Sequence, residues 1–200
     1  MSGEAVGQGA RRRRIVVGIS GASGAIYGVR LLALLRTLDV ESHLVVSRSA
    51  QITLQQELDM SLADLKPLAD VHYPNADIGA AISSGSFHVD GMIVAPCSIK
   101  TLSEIATGCT SSLISRAADV MLKERRRLVL MVRETPLHAG HIRSLAAVTE
   151  AGAIVYPPVP AFYAKPATLE QMVDHTLGRV LDLFDLDAPT VRRWSGTAGD

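Results

Sequence analysis

Apolar residues in this chain occur in two rhythms. Short continuous runs at 15–19, 42–46, 91–96 and 127–132 predict buried strands, with shorter ones at 71–73 and 153–156. Between them, apolar residues recur every three or four positions and predict helices. The first spans 25–38, with Val29, Leu32, Leu35 and Leu38 toward the core. Others span 51–57, 112–125, 140–151 and 168–183, and Ser98 to Thr101 opens one more. Ser61 is placed to cap a short helix at 62–66. Segments 83–86 and 157–160 read as loops, the second stiffened by its prolines. Alternating strands and helices, with strands apolar on both sides, predict a mostly parallel sheet covered on both faces: an α/β, three-layer sandwich. Neither a repeat nor an internal linker divides it. The expected organisation is one domain over 14–194, with a flexible N-terminal tail over 1–13 and a C-terminal tail over 195–200.

Composition narrows the classes. Two hundred residues, 48% of them hydrophobic and 20% charged, are enough for one buried core. The formal net charge is zero, so nucleic acid and anionic membrane are not expected partners. No apolar run has the length of a membrane span. A secretory signal does not fit, because Gly18, Ser20 and Gly21 break the apolar run behind the arginines. Two cysteines, Cys97 and Cys109, have no metal-ligand spacing and suit a reduced, cytoplasmic setting. Sixteen arginines against four lysines lean toward forked recognition of phosphate or carboxylate.

Ligands of such sheets bind beyond the carboxyl ends of the strands, where strand order reverses. Three strand-to-helix junctions carry glycine or hydroxyls: 21–24, 47–49 and 98–101. The first, Gly18-Ile19-Ser20-Gly21-Ala22-Ser23-Gly24, combines small residues, hydroxyls and a helix start, which suits an anion cradle. A tight strand-to-helix turn needs the same glycines, and the loop alone leaves both readings open. The spacing GxxGxxG differs from the dinucleotide fingerprint, and the second strand ends in Ser47-Arg48-Ser49 instead of a ribose-binding acid. A mononucleotide phosphate therefore fits better than an adenine dinucleotide. Glu134, His138 and His141 invite a metal reading, but Pro136 interrupts any helix through them and no metal is expected. Arg133 and Glu134 follow a strand's carboxyl end, where a ligand contact and a structural ion pair are both open. The run from Lys123 to Arg127 reads as a solvated face by default.

Six ordered segments together resemble the flavin prenyltransferases, the UbiX/Pad family. They are Gly18-Ile-Ser-Gly-Ala-Ser-Gly-Ala-Ile-Tyr-Gly28, Ser83-Ser-Gly-Ser86, Pro96-Cys-Ser-Ile-Lys-Thr101, Arg116-Ala-Ala-Asp-Val-Met-Leu-Lys-Glu-Arg125, Arg133-Glu-Thr-Pro-Leu-His138 and Pro157-Pro-Val-Pro-Ala-Phe-Tyr163. The resemblance runs from about Arg14 to Trp194. It implies a flavodoxin-like fold and a homo-oligomer, commonly a dodecamer of trimers, whose active sites draw on neighbouring subunits. It implies transfer of a dimethylallyl group from dimethylallyl monophosphate to N5 and C6 of reduced FMN, without metal. The product would serve UbiD-type decarboxylases, here in ubiquinone biosynthesis.

By the same resemblance, Gly21, Ala22, Ser23, Ser47, Ser98, Ile99, Lys100, Thr101 and Arg133 would hold FMN. Arg116, Lys123, Tyr163 and Arg179 would meet the donor phosphate. Glu57, Lys123, Glu134 and Trp194 would act in catalysis, with Glu134 or the released phosphate taking the C6 proton. Segment 78–86 lacks the tryptophan that some relatives carry. Two rivals are an FMN-dependent aromatic acid decarboxylase and a non-catalytic flavin carrier.

Overall fold

The structure is a computed structural model that describes residues 11–193 and Gly196. Six strands form one sheet: β1 (Arg14–Ile19), β2 (Glu41–Val46), β3 (Val71–Pro74), β4 (Gly91–Cys97), β5 (Arg127–Val132) and β6 (Ile154–Val155). Seven α-helices alternate with them: α1 (Ala25–Thr37), α2 (Arg48–Leu58), α3 (Leu62–Leu65), α4 (Ile99–Thr107), α5 (Leu113–Lys123), α6 (Ala139–Glu150) and α7 (Leu169–Asp182). The order across the sheet is β3-β2-β1-β4-β5-β6, and every pairing is parallel. Without the edge strand β3, the other five strands follow the flavodoxin order. The order reverses between β1 and β4.

Period-two alternation divides the core. Ile15, Val17 and Ile19 of β1 pack with Leu31 and Leu35 of α1 and Leu177 and Leu181 of α7. Val16 of the same strand joins Met92 and Val94 of β4, Leu102 of α4, Ile114 of α5 and Val148 of α6 on the other face. The strands read as continuous apolar runs because both sides are covered.

Helix starts follow a common rule. Ser47, Ser61, Ser98, Ser112, His138 and Thr168 each accept a hydrogen bond from a first-turn N–H of the helix they precede. Ser47 places the start of α2 at Arg48, three residues before the periodicity suggested. At the other end of α5, Arg125 takes a positive φ of 54°, so the helix stops at Lys123 instead of continuing to 125. The basic run assigned to the tail is tied to the body at Arg11, Arg12 and Arg13. Arg11 pairs with Asp90 at 3.2 Å, and Arg12 pairs with Asp39 at 3.0 Å and Asp70 at 2.9 Å. Arg13 reaches Asp90 at 4.0 Å.

Candidate active site

The reversal between β1 and β4 opens a cleft of about 400 Å³ at the carboxyl ends of the strands. Gly21, Ser47, Ser98, Ile99, Lys100, Thr101 and Glu134 line it together. The β1 and β4 loops are stapled beneath it by Ser20, whose hydroxyl donates to the Pro96 carbonyl at 3.0 Å and accepts from the Ser98 N–H at 2.7 Å. Ser20 is buried, and sequence reasoning gave it no role. Gly21 is where the β1 loop meets the start of α2: a Cβ there would lie 2.3 Å from the Ser49 Cβ.

Two helix starts flank the switch point, and they differ. The residue before α1 is Gly24, with φ of 100° and no side chain to cap. The cap comes from another helix instead. Glu57, near the end of α2, accepts from the Gly24 N–H at 2.9 Å and the Ala25 N–H at 2.9 Å. Loss of hydration works against its ionisation. Hydrogen bonds from the Ser23 hydroxyl and those two N–H groups, aided by Arg133, outweigh that and hold the carboxyl below the usual carboxylate range. The anion at this helix start is thus the chain's own. At α4, Ser98 Oγ accepts from the Thr101 N–H at 3.3 Å and donates to Thr101 Oγ1 at 3.2 Å. Helix geometry leaves the N–H groups of Ile99 and Lys100 without intrahelical acceptors, at the positive end of the helix dipole. The α4 start is the one that faces the cleft, and its chemistry suits a phosphate.

The other singled-out residues fall into separate places. Ser23 and Arg133 gather around the Glu57 cap, Arg133 with its N–H on the Cys97 carbonyl at 3.1 Å, while the Ala22 N–H donates to the Ser20 carbonyl at 2.9 Å. Lys100 turns along its own helix to Glu104 at 2.6 Å. Arg116 pairs with Asp119 on α5 at 2.7 Å. Lys123 pairs with Glu124 at the far end of α5, beside Gly85. That end precedes β5, so Lys123 lies toward the amino ends of the strands, away from the cleft. Tyr163 and Arg179 share a cavity of about 290 Å³ with Val191 and Arg193 on the flank of α7. Among the described residues, none lines both this cavity and the cleft. Trp194 lies outside the described residues.

Arg48 and Ser49, in the junction the sequence singled out, also line the cleft, whereas sequence reasoning missed Asn75, Glu104 and Ser112 in its wall. Asn75 had the clearest chemistry. Its side-chain and main-chain oxygens accept from the Ile114 and Leu113 N–H groups at 3.2 and 2.8 Å, joining the end of β3 to α5. The His138–His141 pair is a close ring contact with centroids 3.6 Å apart, and His138 Nδ1 accepts from the Gly140 N–H at 3.0 Å. Among the described residues, no group of three His, Cys, Asp or Glu side chains is arranged to hold a metal ion.

Comparison with known proteins places this geometry. The Flavoprotein family model matches residues 5–186. Flavin prenyltransferase UbiX of Escherichia coli K12 is 55% identical over 187 residues, spanning 92% of this chain and 99% of the relative. The enzyme of the same name from Thauera aromatica is 55% identical over 183 residues, spanning 92% and 94%. Among solved structures, AnUbiX (PadA1) in complex with FMN and dimethylallyl pyrophosphate superposes with a TM-score of 0.92 at 53% identity, covering 94% of this chain and all of that one. A dodecameric FMN-dependent UbiX-like decarboxylase from E. coli O157:H7 superposes with a TM-score of 0.88 at 48% identity, covering 92% of this chain and all of that one.

Proposed function

Because this chain belongs to the UbiX-type flavin prenyltransferase family of flavoproteins, we propose that it transfers a dimethylallyl group from dimethylallyl monophosphate to N5 and C6 of reduced FMN. It is an enzyme of the transferase class. The observation that carries the reading is the hydroxyl-lined cleft at the switch point, with the start of α4 facing it and the start of α1 capped from within. We assign the activity to one domain over 14–194.

In this reading the FMN phosphate meets Ser47, Ser98, Ile99, Lys100 and Thr101, and the rest of the flavin lies along Gly21, Ala22, Ser23 and Arg133. The bound flavin supplies the nucleophile. Arg116, Lys123, Tyr163 and Arg179 take the donor phosphate, where guanidinium, ammonium and phenol groups stabilise the charge that builds as the allyl–oxygen bond breaks. Glu134, at the cleft, is our candidate for the C6 proton. Glu57 holds the Ser23 loop in place, and Trp194 would shield the allyl cation. Arg116 and Lys123 on α5 and the Tyr163–Arg179 cavity are separated within one chain, which supports donor sites completed by neighbouring copies in a homododecamer. The product would supply a UbiD-type decarboxylase in ubiquinone biosynthesis. The unpaired Cys97 and Cys109 support a cytoplasmic setting. No helix of the described residues is long and apolar enough to cross a membrane.

The decarboxylase named among the solved relatives keeps one rival in play, and one assay separates the readings. Protein, reduced FMN and dimethylallyl monophosphate are mixed and the flavin mass is taken. Gain of one dimethylallyl unit is the expected result. Carbon dioxide from a hydroxybenzoate with no second protein would support a decarboxylase. Neither product would support a flavin carrier.

A further inference from the structure

We infer that Arg193 is a positioning residue for Arg179, acting through Asp182, the carboxylate that the two arginines share. The inference rests on the reading of Arg179 as a donor-phosphate ligand.

Arg179 lies near the end of α7 and donates from Nη1 to Oδ2 of Asp182, one turn along. Arg193 reaches the same carboxylate from the segment that folds back after the helix. Its Nη1 donates to Asp182 Oδ2 at 3.1 Å and its Nη2 to Asp182 Oδ1 at 3.0 Å. The same Nη2 also donates to Asp187 Oδ1 at 2.7 Å. The returning segment is fixed along α7 by Thr190, whose hydroxyl donates to the Asp174 carbonyl at 3.0 Å, and by His175 Nε2 against the Arg192 carbonyl at 3.3 Å. Arg193 therefore forks onto both oxygens of Asp182, while Arg179 holds one of them. The hydrogen bond from Arg193 is the strongest cause holding the Asp182 carboxyl below its ordinary range. Burial opposes it, and the charges of Arg193 and Arg179 add to it.

This arrangement bears directly on phosphate binding. Arg179 and Arg193 line the same cavity as Tyr163. Arg179 gives Asp182 one N–H of its fork, so a phosphate there competes with that carboxylate for the guanidinium. With Arg193 in place, the carboxylate keeps a bidentate cation after Arg179 leaves, and the incoming anion meets a neutralised pair. Without Arg193, Asp182 has Arg179 as its main counter-charge. Pulling that guanidinium away would bare a carboxylate beside the arriving phosphate, and like charges at that range repel. Arg193 thus lets one arginine be given up without leaving a negative charge behind. It acts on donor affinity and leaves the chemical step alone.

The test is steady-state kinetics with dimethylallyl monophosphate and reduced FMN, with flavin binding and thermal melting measured on each variant. In R193A the donor KM is expected to rise about five- to tenfold with kcat and flavin binding unchanged, the pattern of lost binding that is equal in ground and transition states. R193K keeps the charge without the fork and should fall between R193A and the parent. The decisive variant is R193A/D182N, which removes the carboxylate along with its partner. Its KM should return to within about twofold of the parent, because Arg179 is no longer held back by an unshared charge. An unchanged KM in R193A would overturn the inference. So would a double variant no better than R193A, since Arg193 would then touch the donor itself or only anchor the chain. Should R193A fail to fold, R193Q and R193Q/D182N make the same comparison. In R179A, an unchanged donor KM would overturn the site reading and the inference with it. A raised KM there, with R193A unaffected, would overturn the inference alone.

Discussion

Glu57 does at α1 what Ser47 and Ser98 do at α2 and α4, from 33 residues away. Its folded pKa lies below its ordinary value, so its contribution is complete above the usual carboxylate range and is lost as pH falls through the lowered folded pKa. Glu57→Ala should cost about 1 kcal/mol at neutral pH, toward the low end for a cap because the side chain is solvent-exposed. The stability gap between parent and variant should close in acid, measured by urea unfolding at a series of pH values. A gap that stays constant with pH would remove the carboxylate from the cap. The family motifs pointed to Glu57, but nothing in the local pattern did. A cap supplied within three residues is legible as Ser-x-x, whereas one supplied across the fold has no spacing to read.

At the level of elements, the sequence located the four long strands closely, because a strand buried on both faces is an unbroken apolar run. It was less successful at junctions. Segment 47–49 read as a loop, although Arg48 and Ser49 are the first turn of α2. Polar residues in a first turn look like a loop until the cap is seen. The loop at 21–24 and the junction at 98–101 both suited a cradle, and of the starts of α1 and α4 it is that of α4 that lines the cleft. The two are hard to tell apart in sequence because both are small, polar and followed by a helix. The approach of the β1 loop to the start of α2 explains why Gly21 has no room to grow. Gly21→Ala would set its methyl 2.3 Å from Ser49 Cβ at the first turn of α2. The expected result is a melting temperature several degrees lower, by about 1–3 kcal/mol of overpacking, and protein purified without its yellow flavin. Normal flavin content in that variant would show that the β1–α2 approach does not shape the cleft.

For the molecule as a whole, the order of motifs along the chain shows that a site exists but not how the fold distributes its residues. Lys123 reads like a partner of the cleft residues, yet α5 carries it to the other end of the sheet. The segment between β6 and α7 exposes Val159 and Phe162 to 71% and 77%, and Leu169 at the start of α7 is exposed to 61%. In the homododecamer proposed above, Phe162→Asp should weaken the assembly in sedimentation and abolish prenyl transfer while each chain still binds FMN. An intact assembly with full turnover would take this loop out of the interface.

The ties of Arg11 and Arg12 to Asp90, Asp39 and Asp70 have a practical consequence for anyone trimming this protein. A cut just before β1 would seem harmless, since it removes no core residue. It would instead strip Asp39, Asp70 and Asp90 of these guanidinium partners and leave excess negative charge along the foot of the sheet. A trimmed chain that keeps these ties starts no later than Arg11.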